Sequence, residues 1–497
     1  MRDPTIREGP VNRSLRSLLT VLASLSFIAA LLASGPAQAT PQGPELRVFS
    51  PTSSITEYRY RSREQISVDS GLWVSANGST FEVIAHRDSY TTPIVATQII
   101  DPDTSARQVV LPDKVVAPRW SGLRHFFNVT VTGPAGDVAY KGSVPFCPDS
   151  WNVQRVDASG PTDSTFPQGC YTNPFTTGVV WGIDQGWAVG ALDMSRIRFA
   201  GPDGHYSVHV QITSLYQRLL SIAPADASAT LGLVVTTSPT GCPPYCPPAS
   251  TAATSTSNGS TLPTKTNPRP STLPDLVALP AWGISTDAYS AAGRDFLDFG
   301  ATVWDAGPAP MVVEGFRRTG TNIMDAWQTF YRGDKPVARA PVGTLQYDSA
   351  PGHEHWHFEQ FAAYRLLGAD KHNIVRSQKT GFCLAPTDAI DLTVPGAIWN
   401  PGTLGLYSAC GDASAIWTRE TLPTGWGDTY FQSLPGQSFD ITNLPNGTYY
   451  IQIQADPTGE IYERSSKNDT QLREVILGGV PGARTVTVPP WNGIDTG

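Results

Sequence analysis

Gly352-His353-Glu354-His355-Trp356-His357-Phe358 carries three imidazoles at positions i, i+2 and i+4. Side chains alternate across a strand with period two, so in extended chain the three histidines share one face while Trp356 and Phe358 face a core. In an ideal strand the outer two histidines lie roughly 13 Å apart at the backbone, whereas zinc or copper bonds nitrogen at about 2.0 Å. One ion is shared only if the segment curls. Three imidazoles with an open coordination position suit either zinc or copper, and the donor set alone does not choose between them. Four of the eight histidines fall between residues 353 and 372, a concentration that a solvated face does not require.

Outward from this stretch the chain reads as strands. Phe299 to Trp304, Ala309 to Glu314, Glu354 to Leu367 and Tyr449 to Ala455 are short β-branched or aromatic runs, the last fed by a Pro445-Asn446-Gly447 turn. Earlier, Phe81 to Ala85, His125 to Val131 and Tyr206 to Ile212 alternate apolar and polar residues like half-buried antiparallel strands. With 45 glycines, 43 prolines and only 16% charged residues, the expectation is an all-β chain of two β-sandwich-like domains. His86, His125, His205 and His209 are scattered through the first of these and read as solvated or satisfied side chains.

Residues 1–39 read as a secretory signal: Arg2, Arg7, Arg13 and Arg16 precede an apolar run from Leu18 to Ala33, and Ala37-Gln38-Ala39 suits cleavage before Thr40. The run is too short for a membrane span, and no later stretch is apolar enough, so a secreted, extracellular chain is expected. Residues 40–246 form an N-terminal β-rich domain. Residues 247–272, almost all Ser, Thr, Pro, Asn, Ala and Gly, read as a disordered linker between two independently moving units. The second unit runs from 273 to 480, and 481–497 reads as a C-terminal tail. The formal net charge of −8 argues against a nucleic-acid partner, which needs clustered positive charge. Cys147, Cys170, Cys242, Cys246, Cys383 and Cys410 suggest three disulfides in an exported chain, paired within neighbouring groups.

From Leu273 to near Gly478 the sequence resembles the catalytic domain of the lysyl oxidase family, in a bacterial secreted form. The matching elements occur in the family's order: Leu273-Pro274-Asp275-Leu276-Val277, the His-x-His-x-His segment, Lys379 to Leu384, Asp428-Thr429-Tyr430, Phe439 to Thr442, and Gly447 to Ile451. The resemblance implies a copper amine oxidase that uses O₂ to turn primary amines such as lysine or peptidyl-lysine into aldehydes, releasing hydrogen peroxide and ammonia. It implies that His353, His355 and His357 bind copper and that Lys379 and Tyr430 form a lysine tyrosylquinone cofactor. It also implies a Cys383–Cys410 disulfide, and Asp275, Glu463, Asn468 and Asp469 resemble the positions around a family calcium site, with Ser465 where a carboxylate would stand. Glu359 and Asp428 are candidates for the base that takes the substrate α-proton. The sequence departs from animal members in its few cysteines, in Trp356, and in a shortened stretch after the histidines. The competing reading is a non-enzymatic extracellular adhesion or binding module holding a structural zinc, and the N-terminal domain reads as a module that binds an extracellular polymer or surface, a pro-region or a spacer.

Overall fold

The computed structural model describes residues 44–60, 65–68, 70–102, 106–193, 197–238, 262–287, 293–349, 353–377, 379, 381–432 and 438–494. The expected leader, Cys242, Cys246 and the first part of the expected linker lie outside them. The described residues are almost all β, with one α-helix, Ser214–Leu219. None of their helices is long and apolar enough to cross a membrane.

The first half builds two four-stranded sheets, a two-stranded sheet and a five-stranded sheet, the last ordered Ser54–Tyr60, Ser228–Ser238, Gly204–Ile212, Leu123–Thr132, Val138–Phe146. In Gly204–Ile212 burial alternates residue by residue, with Tyr206, Val208 and Val210 inward and His205 and His209 exposed. The period-two pattern thus sends both histidines to water.

The second half stacks three sheets. One runs through Leu276–Ala278, Phe296–Asp305, Trp426–Gln432 and Asp388–Ala389; a second orders His355–Phe358, Lys335–Asp348, Ile323–Arg332, Met311–Arg317, Trp417–Leu422; a third centres on Ala362–Leu367 and Gly447–Ala455. The long strand expected over Glu354 to Leu367 is two, His355–Phe358 and Ala362–Leu367, separated by a turn that sends them into different sheets. Between the sheets Phe382 meets Phe361, Tyr364 and Tyr430 edge-on at centroid distances of 5.5, 5.7 and 5.2 Å. Phe382 is fully buried, and such a ring contributes about 1.5–3 kcal/mol through burial alone.

Independent movement of the two halves is not what the packing gives. Ala389 N–H donates to Tyr171 O, Thr177 N–H to Ile390 O and Leu392 N–H to Gly178 O, at 2.7 to 3.0 Å, so an edge of the first half pairs directly with a segment of the second. Residues 263–265, within the expected linker, run beside Arg339 through two backbone hydrogen bonds. In the expected tail, Ala483–Thr487 extends the third sheet, and Trp491 packs on Tyr90 and Phe175 of the first half. Composition flagged both segments as loops, but strand edges and an aromatic socket hold residues 263–265 and 483–491. Cys147 pairs with Cys170 and Cys383 with Cys410.

Candidate metal and quinone site

The histidine strand has two edges. On one, Asp348 stands opposite His355, Tyr347 opposite Trp356 and Gln346 opposite His357. On the other, Trp356 N–H donates to Cys410 O, and Phe358 and Phe382 exchange both backbone hydrogen bonds. Trp356 and Phe358 are fully buried, the core-facing role their alternation requires.

The segment turns at its start. His355 N–H donates to His353 O, a tight turn that draws His353 back until its ring centroid is 5.6 Å from that of His357. His355 and His357 rings lie 4.5 Å apart, perpendicular, with their Nε2 atoms 2.9 Å from each other. Two ligands each about 2.0 Å from one ion and near 90° apart are separated by about this distance. Burial first, and then the neighbouring Lys379 charge, lower the pKa of His357 to about 3, and burial likewise lowers that of His355. Burial therefore favours the neutral, lone-pair-bearing form of both imidazoles. His353 Nδ1 and His357 Nδ1 lie 3.9 and 3.8 Å from Asp348 Oδ2, and Asp348, His353 and His357 have donor atoms within 4.8 Å of one another. His357 thus shows one nitrogen to His355 and the other to Asp348. The Nε2 pair has the spacing of two ligands, while Asp348 Oδ2 stands beside the other nitrogen of His357 together with His353 Nδ1. Asp348 was missed in the sequence because its place comes from cross-strand register.

Lys379 lies between strand Asn373–Arg376 and Phe382, which pairs with the histidine strand's far edge. It is 7% exposed, and its Nζ lies 4.5 Å from the Tyr430 ring centroid and 4.9 Å from that of Phe382. Burial lowers its pKa to about 8 against the opposing pull of Asp428 and Asp348, so the neutral, nucleophilic amine is within reach near neutrality. The next residues tie the two sets together. Gly381 packs so closely on the metal strand that a Cβ there would meet His357 Cβ at 2.6 Å. Gly381→Ala is expected to displace that ring and weaken copper binding by about tenfold or more, measured by competition with a chelator.

Cys383, Leu384 and Ala385 then address three side chains in turn. Tyr430 O–H donates to Cys383 O at 2.6 Å, Leu384 N–H donates to Glu420 Oε2 at 3.0 Å, and the Ala385 backbone bonds the Asp428 carboxyl. Asp428 and Tyr430 lie two apart on Trp426–Gln432 and so share a face. Glu420 and Asp428 are buried, each with one oxygen, Oε1 and Oδ2, that has no hydrogen-bond partner. Burial pushes both carboxyls well above the usual carboxylate range. Glu359, the other candidate base, is half-buried; its Oε1 lies 3.0 Å from where a Gly381 Cβ would stand, on the histidine side of the loop.

Asp275, Glu463, Asn468 and Asp469 come together as well. Asn468 Nδ2 donates to Asp275 Oδ1 at 3.0 Å, and Glu463 Oε2 accepts Leu276 N–H at 3.0 Å. Glu463 Oε1, Asn468 Oδ1 and Asp469 Oδ1 are buried and unpartnered. Burial first, and then the Asp469 charge, raise Glu463 to about 9; burial first, and then the charges of Asp456 and Asp275, raise Asp469 to about 6.

The family model described as Lysyl oxidase matches residues 337–480, a stretch that holds all three histidines, Lys379 and Tyr430 but begins well after Leu273, where the sequence likeness starts. Lysyl oxidase homolog 4 of Mus musculus is 27% identical over 118 residues, 24% of this chain and 14% of that protein. Lysyl oxidase homolog 2 of Gallus gallus is 28% identical over 119 residues, 24% of this chain and 13% of that protein. The chain therefore matches about one seventh of the length of these relatives. Over residues 337–480, this chain carries a lysyl oxidase family domain.

Proposed function

We propose that the protein is an extracellular copper amine oxidase that converts a primary amine, O₂ and water into an aldehyde, ammonia and hydrogen peroxide. The observation that carries this reading is the Lys379 amine 4.5 Å from the Tyr430 ring, on a loop whose Gly381 abuts His357. A structural zinc module has no use for that pair. The donor chemistry fits copper: neutral imidazoles of His355 and His357 converge, His353 is curled toward them, and Asp348 faces the second nitrogen of His357. A quinone made from Tyr430 and joined to Lys379 would supply an electrophilic carbonyl for the substrate amine.

The chain's own residues do the rest. Phe382, itself backed by Tyr364, covers the Tyr430 ring, and the Tyr430 O–H to Cys383 O bond fixes its rotation. Asp428, beside Tyr430 on the same strand face and with a free oxygen, is the better placed of the two candidate bases to take the substrate α-proton; Glu359 lies toward the histidines. Lysine and peptidyl-lysine are the substrates to try first. Secretion rests on the leader read in residues 1–39. Purified copper-loaded protein is expected to release peroxide and ammonia in equal amounts on addition of a primary amine. Full copper occupancy with no peroxide from any alkylamine or lysyl peptide sinks the proposal.

Calcium is proposed at Asp275, Glu463, Asn468 and Asp469, whose three orphaned buried oxygens suit a hard cation. Calcium is expected to raise the melting midpoint by several degrees, as a ligand bound only by the folded state does. Glu463→Gln should lose most of that increment, measured by calorimetry with and without chelator.

A further inference from the structure

The first half lies outside the lysyl oxidase match, yet its edge is built into the site. Segment 383–392 has two ends. At one, Cys383, Leu384 and Ala385 hold Tyr430, Glu420 and Asp428. At the other, residues 389–392 are held by the first half: Ala389 N–H by Tyr171 O, Ile390 O by the Thr177 and Gly178 N–H groups, and Leu392 N–H by Gly178 O. Side chains reinforce this seam. Thr176, fully buried, donates its hydroxyl to Ala389 O at 2.8 Å, and Thr177 donates to Asp391 Oδ2 at 3.0 Å. Asn173, 4% exposed, donates through Nδ2 to Thr302 Oγ1 at 3.3 Å. Thr302 in turn shares a 2.7 Å hydrogen bond with Thr429, the residue before Tyr430. The edge has its own anchor, because Cys170, disulfide-bonded to Cys147, immediately precedes Tyr171.

We infer that the first half is a positioning element of the oxidase, in which Asn173 and Thr176 hold segment 383–392 and the Tyr430 strand in the geometry that brings Tyr430 to Lys379. A tethered targeting module would leave that geometry untouched, and a removable pro-region would uncover two buried polar side chains and break the paired edge, leaving donors and acceptors unsatisfied. Ala389 also pairs with Trp426 of the Tyr430 strand, so a shift at the seam reaches the tyrosine through two routes, one at each edge of that strand. Misplacing reacting groups by a fraction of an ångström slows a reaction between them far more than it weakens the fold.

The inference rests on the quinone reading, and its test separates the two. Full-length chains with Asn173→Ala, Thr176→Val and the rescue variant Thr176→Ser are loaded with copper, and the phenylhydrazine adduct band is followed in time. In parallel, amide hydrogen exchange is measured at residues 384 and 385 in metal-free protein. Asn173→Ala and Thr176→Val are expected to form the adduct about tenfold more slowly at equal copper content and to exchange faster at 384 and 385, while Thr176→Ser behaves as the parent. Parental adduct rates and parental exchange in both disrupting variants would overturn the inference. If the parent forms no adduct, the quinone reading fails, and the exchange result alone decides whether the first half positions the segment.

Discussion

Tyr430→Phe is expected to retain copper and yet form no phenylhydrazine adduct, and Lys379→Met to do the same. Neither residue belongs to the imidazole cluster, so metal content measured by atomic absorption should match the parent. Phenylalanine keeps the ring against Phe382 and loses only the O–H donated to Cys383, so the fold survives while the phenol needed for quinone formation is gone. Methionine keeps the buried stem of Lys379 and removes the amine that must add to the oxidised ring. Because burial brings Lys379 down to about 8, cofactor formation in the parent should accelerate as pH rises toward 8 and level off above it, as the neutral amine becomes the main form. An adduct band of parental size in either variant would refute the Lys379–Tyr430 assignment.

Asp428→Asn is expected to have the opposite profile, with the adduct retained and turnover with amine substrates reduced about 10²–10⁴-fold, the usual worth of a positioned base. The substitution preserves shape and the acceptor for the Ala385 backbone, and it leaves the imidazoles untouched. What it removes is a carboxyl whose affinity for a proton is raised by burial, the direction that suits a group receiving the substrate α-proton. The substrate deuterium isotope effect on kcat should rise, since α-proton removal becomes slower than the other steps. Glu359→Gln is the companion measurement. If Glu359→Gln abolishes turnover and Asp428→Asn does not, the assignment of the base passes to the histidine side of the loop.

Much of this centre was legible in the sequence, and the rest was not for identifiable reasons. Period-two spacing gave the strand at His355–Phe358 and the inward Trp356 and Phe358. The requirement for a curl followed from bond lengths, and a turn at His353 draws that ring toward His357 and Asp348. Asp348 was invisible because a carboxylate seven residues before His355 acquires meaning only through hairpin register. The alternating assignments of Cys383, Leu384 and Ala385 were hidden for a similar reason: they depend on which strands flank an irregular segment with no periodicity of its own. The seam escaped notice because Thr172 to Gly178 and Ala389 to Leu392 are short and mixed in composition, and they meet through two isolated parallel bridges, Thr172 with Ala389 and Gly178 with Asp391. Low complexity in 247–272 suggested two loosely joined units, a conclusion drawn from the connector while the surfaces it joins decided the matter.

That seam also sets a schedule for biogenesis. Thr176 and its acceptor Ala389 are 213 positions apart, and a ribosome adding about 5–20 residues per second needs on the order of 10–40 s to cover that distance. Throughout that interval the edge at Thr172 to Gly178 has no mate, and an unpaired strand edge is a template for pairing with a neighbouring nascent chain. The hazard of misassembly for this protein is therefore concentrated in a window before the second half exists, and a chaperone that shields one short edge during synthesis or export would protect the yield of the whole molecule.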